Sequence, residues 1–147
     1  MDIQTLLDER AIQHQLFAVA RAMDDRDWGL LDQVMVEDAT ADLGLGPITG
    51  RANIVAFIRT FLDDCGPTQH MLGNIVIEID GDNAKSFAYV DDRHAGAGDK
   101  KGMSFASVGD YSDTWRRVDG KWWLIHRLKR NHAHIGKIEV LGPGPTG

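Results

Sequence analysis

The hydrophobic period of this chain changes once, near residue 68, and does not change back. Before that point apolar residues recur at helical spacing. Ile12, Leu16, Val19 and Met23 fall on one stripe over 5–23, and Ile54, Phe57, Ile58 and Phe61 on another over 51–63. Beyond it the alternation has period two, which predicts four long strands near 68–79, 84–95, 103–118 and 121–131. The intervening "IDGDNA" and "RVDGKW" supply the Asp and Gly that hairpins need. Helices first and strands afterwards specify an α+β fold, with helices packed on one face of a curved, mostly antiparallel sheet.

Shorter elements fill the space between the two helical stripes. Asp27 can cap a second helix through "WGLLDQVM", which brings the predicted helices to three, and "EDATADLG" reads as a brief strand. "GLGPITG" reads as a turn: its glycine spacing is wrong for a dinucleotide loop, and no βαβ unit surrounds it. With 147 residues the chain suits one domain, assigned to 1–135, followed by a tail over 136–147 whose "LGPGPTG" is expected to be mobile.

Charge and composition narrow the partners. A net charge of -6, with no basic patch longer than "RLKR" at 127–130, excludes nucleic acid and anionic membrane surfaces as expected partners. The opening "MDIQTLLDERA" lacks the basic and apolar regions of a leader, and Cys65, the single cysteine, suits a reducing cytoplasm. "NHAHIG" offers His132 and His134 as two metal ligands without a visible third, so neither metal nor cofactor is expected. The partners implied are a small-molecule substrate and a second copy of the chain, since the "WRRV" and "WWLI" strands leave more apolar surface than the helices can cover.

The polar residues that point inward carry the chemistry. Asp24 ends the first apolar stripe, and His70 shares strand parity with Leu72, Asn74 and Val76. A carboxylate at a helix end above a histidine on the sheet would fix the imidazole tautomer and make a general base. The same residues also fit a polar turn and a structural histidine. Tyr111 shares a strand face with Asp113 and Trp115 and could donate a hydrogen bond to a substrate oxygen, while Trp28 and Asn74 are candidate cavity walls. His94 falls at a strand end and is expected at the rim.

The segments "RAMDDRDW", "GRANIVAFI", "TQHMLGN" and "YSDTWRRVDGKWWLIHR" resemble, in order and separation, those of the SnoaL-like branch of the nuclear transport factor 2 superfamily. Within it the likeness is greatest to scytalone dehydratase and hexachlorocyclohexane dehydrochlorinase. That resemblance implies a cone-shaped α+β barrel, its sheet wrapped around three N-terminal helices over a deep apolar pocket. It places a catalytic Asp–His pair on Asp24 and His70, and a cavity arginine on Arg127 that could stabilise a leaving anion or an enolate. Two features of scytalone dehydratase find no counterpart: the tyrosine before its aspartate falls on Met23, and its second histidine aligns with Val108. The implied function is a cofactor-independent lyase of dehydratase type, acting on a small, largely apolar cyclic substrate. An isomerase or cyclase with the same base, or a non-catalytic binding domain, is the alternative.

Overall fold

The computed structural model describes residues 1–145, in which two α-helices and three short 3-10 turns accompany one six-stranded sheet. Helix α1 spans Ile3–Asp24, started by Asp2, whose carboxylate accepts the Thr5 backbone N–H at 2.8 Å. Its buried stripe includes Ile12, Leu16, Val19 and Met23, as the sequence period requires. Helix α2 spans Arg51–Leu62. The strands are β1 (Met35–Asp42), β2 (Pro47–Thr49), β3 (Thr68–Asp80), β4 (Asn83–Ala95), β5 (Ser104–Val118) and β6 (Lys121–Gly136).

Two expectations are corrected here. The second predicted helix is a six-residue 3-10 turn, Trp28–Gln33, too short to form a packing layer of its own. "GLGPITG" is more than a turn, because its Pro47–Thr49 pairs antiparallel with β1 as an edge strand. The spatial order is β2-β1-β6-β5-β4-β3, antiparallel except where β1 runs parallel to β6. The sheet therefore ends in two edges and does not close into a barrel. Helix α1 packs across β3 and β6 and α2 against β1. Trp115, Trp122 and Leu124 meet Ile12 and Leu16 in the core between them.

Register irregularities decide which side chains face that core. On β3 the pairing with β4 shifts between Gly73 and Val76, and Asn74 adopts φ 49. His70 and Leu72 point inward before this bulge, but Ile75, Ile77 and Ile79 do so after it. Asn74 itself is exposed, so its expected place in the cavity wall is overturned by the extra residue that unrestricted alternation ignores. On β6, Leu124 pairs with Trp115 and His126 with Thr114, which leaves Ile125 as an inserted residue. That insertion turns Arg127 inward after Trp122 and Leu124.

Residues 136–145 lie against the domain. Val140 is fully buried, Gly142 donates its backbone N–H to the Phe61 carbonyl at 2.8 Å, and Cys65 donates to the Val140 carbonyl at 3.2 Å. Thr146 and Gly147, the end of the expected mobile tail, lie outside the described residues. No helix among the described residues is long and apolar enough to cross a membrane.

The left-handed backbone at Asn74 is tolerable for asparagine and strained for a β-branched residue. Asn74→Val should therefore lower stability by about 1–2 kcal/mol in urea unfolding. A change within a few tenths of wild type would contradict the bulge.

Candidate active site

The site begins where α1 ends. Arg26 takes φ 56 and turns the chain, and its guanidinium donates to the Met23 carbonyl at 2.7 Å, the Thr68 hydroxyl at 2.8 Å and the Gly66 carbonyl at 2.9 Å. A cation thus covers the carbonyl end of the helix, where the last residue, Asp24, is unfavourable to the helix dipole. Asp24 is held instead by three donors from β3. Its Oδ1 accepts from His70 Nδ1 at 2.7 Å and from the Thr68 hydroxyl at 3.0 Å, and its Oδ2 accepts the His70 backbone N–H at 3.0 Å. The His70 side chain is 5% exposed and that of Asp24 19%. Burial alone would raise the Asp24 carboxyl, but the hydrogen bonds from the His70 ring and backbone and from Thr68 outweigh it and hold it below the usual carboxylate range.

His70 lines a cavity of about 930 Å³ bounded by the inner sheet face, α1, α2 and the segments around Leu45 and Ile138, and open to solvent on one side. Its apolar walls include Val19, Met23, Ile54, Phe57, Phe61 and Leu124. The polar wall is built by β4, β5 and β6. Asp92 stands opposite His70 in the β3–β4 register and accepts from the Ser107 hydroxyl and, at 2.7 Å, from Lys129 Nζ. Burial pushes the Asp92 carboxyl up, but the Lys129 ammonium and the Ser107 hydroxyl bring it below its ordinary value. His94 is 5% exposed, with Nδ1 3.1 Å from the Phe105 carbonyl and its ring 6.0 Å from that of His70. Burial lowers its pKa, and the nearby Asp92 charge offsets that only in part.

The cavity thus receives some of the residues singled out in the sequence and refuses others. Asp24 and His70 meet. Tyr111 and Arg127 both line the cavity, the guanidinium 3.7 Å from the phenol ring centroid. Arg127 is not free to receive an anion with its fork, because Nε and Nη2 each donate to the buried Asp113 carboxylate at 2.9 Å. Burial would lower the Arg127 pKa, and Asp113 raises it above the ordinary value. Tyr111 stays protonated, its pKa raised by burial. Trp28 lies outside the cavity: the 3-10 turn carries it to the core side, where Arg59 stacks at 5.8 Å. His94 is a buried wall residue and not a rim residue, so a second histidine reaches the cavity from β4 although β5 carries Val108. His132 and His134 both line the cavity, and Nε2 of His132 lies 2.7 Å from Asp110 Oδ2.

Sequence reasoning missed Asp92, Ser107 and Lys129. The first had a legible signal, since strict alternation along β4 puts Ala84, Ser86, Ala88, Val90, Asp92 and His94 on one buried face.

The model of the SnoaL-like domain matches residues 4–128. The chain belongs to the SnoaL-like family. It is 30% identical over 131 residues, 88% of each chain, to an uncharacterized protein of Mycobacterium tuberculosis strain H37Rv. A candidate scytalone dehydratase from Novosphingobium aromaticivorans superposes with a TM-score of 0.80 at 25% identity, covering 93% of this chain and 92% of that one. The hexachlorocyclohexane dehydrochlorinase LinA-type3 from Novosphingobium barchaimii gives 0.81 at 18% identity, covering 93% and 94%, a likeness of fold alone. This SnoaL-like chain therefore shares the nuclear transport factor 2 fold.

Because the folded Asp24 carboxyl titrates below the unfolded value, its contribution to stability is present above about pH 4 and is lost as pH falls through the folded pKa. Asp24→Asn should cost about 1–3 kcal/mol at neutral pH, the difference narrowing below about pH 4. Urea unfolding of both proteins across that range checks this, and a pH-independent difference would contradict it.

Proposed function

We propose that this SnoaL-like protein is a cofactor-independent lyase in which His70 removes a proton from substrate carbon and a leaving group departs. The observation that carries the reading is the 2.7 Å contact between Asp24 and His70 Nδ1 at the wall of a largely apolar cavity. A carboxylate on Nδ1 requires the hydrogen there, which leaves the Nε2 lone pair for the substrate. When the proton arrives, Asp24 stabilises the imidazolium across an already formed hydrogen bond. The apolar walls suit a compact cyclic substrate, and the protonated Tyr111 hydroxyl and the Lys129 ammonium are donors for one or two oxygens.

An isomerase would use the same first step and return the proton to another carbon. Solvent deuterium separates the two: an isomerase leaves label in a product of unchanged formula, and a lyase gives a product lacking the leaving group.

In the same reading the protein works as a homodimer. The outer face of β3 and β4 exposes Met71, Val76, Phe87 and Tyr89, a patch suited to a second copy. Equilibrium sedimentation should give twice the chain mass of 16.3 kDa, and a species of the single mass alone would remove this element.

Asp24→Asn and His70→Ala should each lower turnover of an identified substrate about 10²- to 10⁴-fold with ligand binding largely kept. The double variant should be little worse than either single one, because groups working as a unit are non-additive. Full activity in both single variants would defeat the lyase reading.

A further inference from the structure

Three ligand-type side chains converge on one wall of the cavity. His70 on β3 and Asp92 and His94 on β4 each bring one nitrogen or oxygen to within 4.8 Å of the other two. What stands behind each group sets its state. Nδ1 of His70 faces the Asp24 carboxylate and Nδ1 of His94 the Phe105 carbonyl, both acceptors, so each Nδ1 carries the hydrogen. With hydrogen on Nδ1, Nε2 is the atom each ring has left to offer a cation, and Nε2 of His94 lies 4.0 Å from Asp92 Oδ2. Asp92, ionised beside Lys129, adds a third acceptor. With both Nδ1 atoms committed to outer acceptors, an entering cation meets the two Nε2 lone pairs and a carboxylate that already accepts from Ser107 and Lys129.

We propose that His70, Asp92 and His94 form a binding site for one divalent first-row transition ion, of which zinc and cobalt are the probes of choice. Two imidazoles and a carboxylate are a donor set such ions accept, with positions left over for water or ligand. Each donor is already oriented by an outer partner: Asp24 for His70, the Phe105 carbonyl for His94 and the Ser107 hydroxyl for Asp92. Bonds of about 2.0–2.2 Å place donor atoms about 3–3.5 Å apart, so the widest separation in the cluster closes by up to about 1.3–1.8 Å on loading. Lys129, 2.7 Å from Asp92 Oδ2, opposes the ion by like charge and limits its affinity. An ion on His70 takes the lone pair that a base there would use, so the ion is an inhibitor of proton abstraction. The inference needs no substrate and stands or falls apart from the lyase reading.

The test is calorimetric titration of the purified, chelator-stripped full chain with zinc chloride, with the visible spectrum of the cobalt form as a second readout. Wild type should bind one ion per chain in the micromolar range. His94→Gln, with an unchanged circular dichroism spectrum, should weaken binding by about 10-fold or more. His132→Ala should leave it unchanged, and Lys129→Met should tighten it by removing the opposing charge. The proposal is overturned by no binding at millimolar metal, by loss of binding in His132→Ala with retention in His94→Gln, or by failure of Lys129→Met to tighten binding.

Discussion

The three hydrogen bonds that Asp24 accepts from β3 tie the end of the first helix to the edge of the sheet and hold His70 at the cavity wall. A carboxylate at a helix C-terminus opposes the dipole, so the arrangement persists only because donors on Thr68 and His70 compensate it. Arg26 completes the junction by binding the helix carbonyls and β3 with one guanidinium. The same contacts that fasten α1 over the sheet therefore orient the imidazole. In this chain fold and site share one set of bonds, and a change to Asp24 is felt as stability and as chemistry together.

The cavity that results has two characters. Apolar side chains from α1 and α2 form one side, where a hydrophobic ligand loses little on leaving water. The facing wall carries Asp92, Lys129, His94 and Ser107, each with a protein partner, so charge is present without a net excess of either sign at any one contact. Arg127 and Asp113 form a closed ion pair beneath Tyr111, which stiffens the wall and keeps a guanidinium from acting as an open anion site.

Much of this was legible in the sequence. The helical stripe ending at Asp24 and the alternation through His70 turned a carboxylate and an imidazole inward but fitted a polar turn and a structural histidine equally, and only the SnoaL-like resemblance joined them. Alternation along β4 was sufficient to find Asp92 beside His94. What was not legible came from inserted residues. The bulge at Asn74 and the extra residue at Ile125 each reverse the parity of a strand, sending Asn74 outward and Arg127 inward. Gly73 and Asn74 within a strand are residue types that favour a bulge, which plain alternation overlooks, whereas nothing in the residue types announces the insertion at Ile125 ahead of the pairing. Nor could spacing show that Trp28, on a turn too short to be a helix, packs away from the cavity. Arg127 lines the cavity, and its engagement with Asp113 depends on a partner one strand away, a contact no single segment reveals.

The central claim is that Asp24 fixes His70 as the tautomer with hydrogen on Nδ1 and a lone pair on Nε2. Nitrogen-15 magnetic resonance of ring-labelled protein, with His70 assigned through its loss in His70→Ala, reads this directly. In the neutral ring the account predicts a protonated, pyrrole-type Nδ1 with its hydrogen shifted downfield by the carboxylate, and a pyridine-type Nε2. The opposite tautomer, with hydrogen on Nε2, would contradict it.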